Sequence, residues 1–176
     1  MADFYTVKPV DCDVDFETSS LSGKTVIVTG GCSGLGEAYV RALTSVNSIF
    51  IKCNVSVWEE QVEVFRQAAA FSSSGRIDYV IANAGVASPE AVFAYDGDWN
   101  EPTKPDSRII DINLNGALYT TKLAMHYFIK QNGTQQSSTQ LDTCLILIGS
   151  GAAYLGQYVY PAYHLPETSA WNDLQF

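Results

Sequence analysis

Apolar and polar positions along this chain fall into blocks whose period switches between that of a strand and that of a helix. Thr25–Val28 is a short run rich in β-branched residues, a glycine cluster follows it, and Glu37–Leu43 then reads as helical, which predicts strand, turn, helix. Ile49–Val55 is again strand-like. Ser56, with Glu59 three residues later, forms a capping-box signature opening a helix whose Val62, Phe65 and Ala69 share a face. Asp78–Ala82 predicts a third strand, and a long loop over Ser88–Asp106 carries Pro89, Pro102 and Pro105. Ile110, Leu114, Leu118 and Met125 recur at helical spacing over about five turns, and after the polar connector Asn132–Gln140 the run Thr143–Ile148 predicts a fourth strand. Strands that alternate with helices imply an α/β fold, a doubly wound parallel sheet with helices on both faces and ligands beyond the carboxyl ends of the strands.

Composition narrows the possible partners. The 176 residues, 47% hydrophobic and 16% charged, suit one core, and residues 1–20, polar and acidic without periodicity, read as a flexible leader. A net charge of -9 repels nucleic acid and anionic membrane, so neither is expected as a partner and a small molecule is. The N-terminus has no apolar core of a signal peptide, and the apolar stretch Cys144–Ile148 is far too short to span a bilayer. A cytoplasmic protein with reduced thiols is the expectation, because Cys12, Cys32, Cys53 and Cys144 are scattered without a CxxC pair. No metal site is expected.

The chemistry gathers where strands end. In Thr29-Gly30-Gly31-Cys32-Ser33-Gly34-Leu35-Gly36 the glycines occupy the turn from the first strand into the first helix. Gly30 suits the tight turn, Gly34 lets backbone approach a pyrophosphate, and Gly36 lets helix and strand pack closely. The helix N-terminus presents free N–H groups to phosphate.

This loop resembles the TGxxxGxG loop of the short-chain dehydrogenase/reductase family. Asn83-Ala84-Gly85 resembles its NNAG motif, Asn113 within Ile112-Asn113-Leu114-Asn115-Gly116 falls on its helix asparagine, and Ser150, followed thirteen residues later by Tyr163, matches its serine and tyrosine. The resemblance covers roughly residues 21–163, with local similarity over Ala94–Phe128 and Ile148–Gly151 to fungal secondary-metabolite dehydrogenases such as those of the aflatoxin pathway. It implies a Rossmann-type dinucleotide-binding domain, NAD or NADP as cofactor, an alcohol or ketone substrate and a possible homo-oligomer. By the same resemblance Gly30, Ser33, Gly34, Leu35 and Gly36 hold the diphosphate and adenosine ribose. Asn54, where the family usually has Asp, and Val55 edge the adenine, and Asn83, Ala84 and Gly85 line the cofactor floor. Lys122, nine residues after Asn113, is either a cofactor-side basic residue or a solvated helix lysine. Ser150 is implied to bond the substrate carbonyl, Tyr163 to exchange the hydroxyl proton, and Asn113 to anchor a water in the proton relay, for hydride exchange between nicotinamide and substrate.

Two departures stand beside the matches. Only 18 positions separate Gly36 from Asn54, enough for one helix and one strand, where the family places a further αβ unit carrying the residue that selects NAD or NADP. The Ile49–Val55 strand is then expected either to slide beside the first strand or to stay in place and leave a poorly bridged gap, and sliding is preferred because buried unpaired strand edges are costly. The family's Tyr-x-x-x-Lys becomes Tyr163-His164-Leu165-Pro166-Glu167, so residues 164–176 read as a tail outside the family pattern and the domain as an incomplete Rossmann-type sheet. A truncated product is expected. The alternative function is an inactive remnant that at most binds nucleotide or pairs with a full-length relative. His126 reads as a packing or surface histidine, His164 as solvated, Trp58 as packed at the start of its helix, and Cys32 as a small filler. Tyr95 and Trp99 either flank a substrate or anchor their loop.

Overall fold

A computed structural model describes residues 19–43, 47–87, 101, 104–133 and 142–151. The expected leader, most of the 88–106 loop with Tyr95 and Trp99, most of the 132–140 connector, and the tail with Tyr163, His164 and Glu167 lie outside these residues.

Three short strands form a parallel sheet in the order β1 (Val26–Val28), β2 (Tyr79–Ala82), β3 (Cys144–Leu147). Val26, Ile27 and Val28 pair with Tyr79, Val80 and Ile81, while Tyr79–Ala82 pair with Cys144–Leu147. β2 is central, and Val80 is fully buried. The first core layer joins Ile27 and Val80 to Phe65 and Ala68 of α2 (Trp58–Phe71) and to Leu123, Ala124 and Phe128 of α3 (Gly116–Asn132). Burying Phe65, 1% exposed, contributes about 1.5–3 kcal/mol. Because strand residues alternate between faces, Val28 points away from this layer, toward α1 (Gly34–Leu43): a Cβ on Gly31 would sit 3.1 Å from Val40 Cγ2 and 3.9 Å from Val28 Cβ. Helices thus cover both faces, as the alternation of elements implies.

Asp78, buried at the start of β2, ties the opposite end of the sheet together. Its Oδ2 accepts the Thr25 N–H at 2.9 Å, and Lys24 and Arg76 lie 3.9 and 3.6 Å from Oδ1. Gln131 of α3 clamps Ile77, accepting its N–H at 2.8 Å and donating to its carbonyl at 2.9 Å.

Four expectations need correction. Ile49–Val55 is not a strand and has not moved beside β1, whose ladder partner among the described residues is β2 alone. Its end is pinned to the helices instead: the Asn54 N–H donates to Glu60 Oε2 at 2.6 Å and the Val55 carbonyl accepts from Gln61 at 2.6 Å, bonds that sliding would break. Ser56 does not cap α2, because its N–H and hydroxyl both go to Asn54 Oδ1, at 3.1 and 2.8 Å, and Val57 stands at the cap without a side-chain bond. The buried face of α2 is Gln61, Phe65 and Ala68, leaving Val62 exposed. The predicted five-turn helix begins as a π-helical segment, Ile110–Asn115, before α3, and Leu118 and Met125 are 50% and 40% exposed. Its inner face is Gly116, Thr120, Leu123, Ala124 and Phe128. Apolar residues lie on both sides of α3, so period alone does not select the buried side.

Among the described residues no helix is long and apolar enough to cross a membrane, and no group of three or more potential metal ligands gathers.

Candidate nucleotide site

The carboxyl end of the sheet is built around Thr29, the first residue after β1. Its N–H extends the ladder to the Ile81 carbonyl at 3.0 Å, and its hydroxyl oxygen accepts the N–H groups of both Asn83 and Ala84 at 3.0 Å. Asn83 returns a bond from Nδ2 to the Thr29 carbonyl, also at 3.0 Å. The glycine loop and the Asn83–Gly85 segment are therefore locked as one piece. Gly30 takes a φ of 68°, and a Cβ there would fall 2.9 Å from Ala84 Cα. Gly36 is constrained more tightly, since a Cβ would lie 2.2 Å from the Gly30 carbonyl oxygen and 2.5 Å from Asn83 Nδ2. Gly34, at φ 54°, opens onto space at the N-terminus of α1. Ser33 and Leu35 are exposed beside it, and the Ser33 carbonyl accepts the Glu37 N–H at 3.2 Å. Cys32 is exposed, which corrects the expectation of a filler.

Asn113 sits in the π-helical segment, whose wider turn offsets its side chain from the regular helix that follows. Its Oδ1 accepts the Val86 N–H at 2.9 Å and its Nδ2 donates to the Val86 carbonyl at 3.0 Å, so the end of the floor is held by one amide. One Nδ2 hydrogen and one Oδ1 lone pair remain for a water. Gly85 has room for a Cβ, 3.6 Å from Asn113 Oδ1. The Ile148 N–H continues the β2–β3 ladder to the Ala82 carbonyl at 3.1 Å, which carries Ser150 to the same end of the sheet.

Asn54 and Val55 approach from α2. A Cβ on Gly116 would lie 2.8 Å from Val55 Cγ2, so the glycine at the start of α3 is what allows this corner to close. Burial and, less strongly, Glu60 push the Cys53 thiol above its ordinary pKa, which keeps it protonated. Lys122 stands exposed on α3, one turn after Leu118. Trp58 meets Tyr119 edge to face at 5.5 Å, and His126 is exposed against Tyr127.

The structure thus brings together the glycine loop with Asn83 and Ala84, Asn113 with the end of the floor, and Val55 with Gly116. Tyr163 lies outside the described residues. Sequence reasoning assigned no role to Thr29, Gln61 or Thr120. Gln61 carried a detectable signal, a polar residue four positions before Phe65 on the same helical face.

Comparison with known proteins extends this picture. The profile of the short chain dehydrogenase family matches residues 41–164. An NADP-dependent dehydrogenase of Cochliobolus lunatus is 34% identical over 78% of this chain and 58% of its own length. A 5′-hydroxyaverantin dehydrogenase of Emericella nidulans is 31% identical over 89% of this chain and 62% of its own. Among solved structures, a short-chain type dehydrogenase/reductase from Mycobacterium marinum superposes with a TM-score of 0.68 at 20% identity, over 86% of this chain and 65% of that one. The chain spans between one half and two thirds of the length of these curated relatives.

Proposed function

Because the chain belongs to the short-chain dehydrogenase/reductase family, we propose that it binds NAD(P) at the carboxyl end of its sheet and that the protein exchanges hydride between the nicotinamide and an alcohol or ketone. The observation that carries the proposal is the glycine loop locked onto Asn83 and Ala84, with the α1 N-terminus open beside Gly34. There Gly30, Ser33, Gly34, Leu35 and Gly36 take the diphosphate and ribose, Asn54 and Val55 edge the adenine, and Asn83–Gly85 form the floor. Backbone N–H groups and the helix dipole supply the attraction for phosphate. The nicotinamide supplies the hydride acceptor or donor. Ser150 bonds the substrate oxygen, Tyr163 gives or takes its proton, and Asn113 fixes the floor and holds a water of the relay. The names of the relatives put NADP first among cofactors to test and make fungal secondary metabolites the substrate class to try first.

Glu167 favours a second reading, a nucleotide-binding protein without turnover. A tyrosine hydroxyl has a pKa of about 10 in isolation, and a nearby cation, not a carboxylate, lowers it. Titration with NADP and NAD, followed by loss of NADPH absorbance with a panel of aromatic ketones, separates the two. Binding with turnover abolished in Tyr163→Phe supports the oxidoreductase; binding alone supports the second reading; no binding of either cofactor overturns both.

A further inference from the structure

Gln61 and Thr120, each 1% exposed, are polar residues buried beside an apolar core. Its Nε2 donates to two backbone carbonyls, Val55 at 2.6 Å and Gly116 at 2.9 Å. Thr120 Oγ1 lies 2.8 Å from both Gln61 Oε1 and the Gly116 carbonyl. The hydroxyl has one proton; the Gly116 carbonyl also receives Nε2, whereas Oε1 has no other donor among the described residues, so the proton goes to Oε1. Two helices packed through Phe65, Ala68, Leu123 and Ala124 do not need a polar pair in order to meet, and buried polar groups weaken packing unless every partner is met. What this pair adds is a grip on the Val55 carbonyl, at the end of a segment that no strand pairing holds among the described residues. The other end of the grip is Gly116, three residues after Asn113.

We propose that Gln61, braced by Thr120, is a positioning residue of the nucleotide site: it sets the Asn54–Val55 corner at a fixed distance from the start of α3 and thereby sets affinity for the adenosine half of the cofactor. The inference rests on the proposed placement of adenine at Asn54 and Val55. Gln61 touches no ligand itself. A glutamate of the same shape can do the work only as the neutral acid, which still donates to Val55; as a carboxylate it faces two carbonyl oxygens. Burial and those carbonyls raise its pKa, so the ionised form emerges as pH rises.

The test is calorimetric titration with ADP-ribose, whose diphosphate does not titrate between about pH 5.5 and 8 and which lacks the nicotinamide. The unsubstituted chain should bind with one affinity across this range. Gln61→Glu should match it at the acid end and bind about tenfold more weakly at the alkaline end, a dependence that a merely space-filling role does not produce. Thr120→Val should weaken binding about three- to tenfold, and Thr120→Ser should restore it. If Gln61→Glu does not fold, the Thr120 pair decides. Weakening in Asn54→Ala with wild-type binding in the Gln61 and Thr120 variants overturns this proposal alone. No weakening in any of them overturns the adenine placement as well, and failure of the unsubstituted chain to bind ADP-ribose overturns both together.

Discussion

The loop that leaves β1 and the corner that enters α2 serve the same end of the sheet, but they are held in different ways. Thr29–Gly36 continues a strand: a ladder bond from Thr29, the short Thr29 and Asn83 side chains each bonding to backbone across the turn, and glycines where no Cβ fits. Asn54 and Val55 end a segment with no ladder among the described residues, and they are fixed by two side chains reaching from α2, Glu60 and Gln61. A corner outside the ladder is therefore held where a buried polar side chain takes its carbonyl. The two kinds of support should fail differently.

The largest contrast is between two phenylalanines. Phe65→Ala should cost about 3–5 kcal/mol, because it opens a cavity at the junction of both helices and the sheet. Phe50→Ala, at a side chain 79% exposed in the unpaired segment, should stay within about 0.5 kcal/mol. Chemical denaturation of both variants checks the pair; a cost above about 2 kcal/mol at Phe50 would mean that the segment packs more firmly than described.

Glycine substitutions give the next contrast. Gly36→Ala drives a methyl into the Gly30 carbonyl, backbone that the loop cannot move, and should cost about 3 kcal/mol and abolish nucleotide binding. Gly116→Ala meets Val55, whose segment has no ladder to break, and about 1–2 kcal/mol is expected. Equal losses in thermal unfolding would show that the corner is as rigid as the loop.

Amide hydrogen exchange sharpens the comparison without mutation. The N–H groups of Val80–Ala82, in the central strand, should open only with near-global unfolding, while those of Ile49–Cys53 should exchange close to the free-chain rate. Protection at Ile49–Cys53 comparable to β2 would reveal pairing in solution.

The smallest effect lies at the opposite end of the sheet and depends on pH. The hydroxyl of Tyr79 donates to Asp142, and this bond, with lesser help from burial and the Asp142 charge, pushes its pKa up to about 12. A folded-state pKa above the unfolded value of 10.0 means stability fully present below pH 10 and lost as pH rises toward about 12. Tyr79→Phe should remove that part of the alkaline loss while leaving nucleotide affinity unchanged. Unfolding midpoints measured across this range provide the check.

Much of the candidate site was legible because its chemistry is local. Glycines at a strand-to-helix turn, Asn83 at the end of a β-branched run and Asn113 ahead of a long helix are recognisable from spacing, as each answers to its own backbone. The Ile49–Val55 run misled for a complementary reason: β-branched composition states a preference for extended backbone, but a strand exists only when a neighbour supplies the ladder. Ser56 and Glu59 likewise had the spacing of a cap, and Asn54 took the hydroxyl first. For α3 the period was right, and apolar residues on both sides leave the choice of buried face to packing.

The sequence by itself determined the strands β1, β2 and β3 with helices between them, the family, and the glycine turn and Asn83 at the carboxyl end of the sheet, because these follow from short-range spacing along one backbone. Only the tertiary structure decided that β1 pairs with β2 alone among the described residues, that Thr29 joins the loop to Asn83 and Ala84, and that Gln61 ties Val55 to Gly116 and Thr120. Apart from the Gln61–Val55 bond, those contacts join residues more than fifty positions apart, and which distant carbonyl a buried amide will meet is settled by the packing of the helices that carry it.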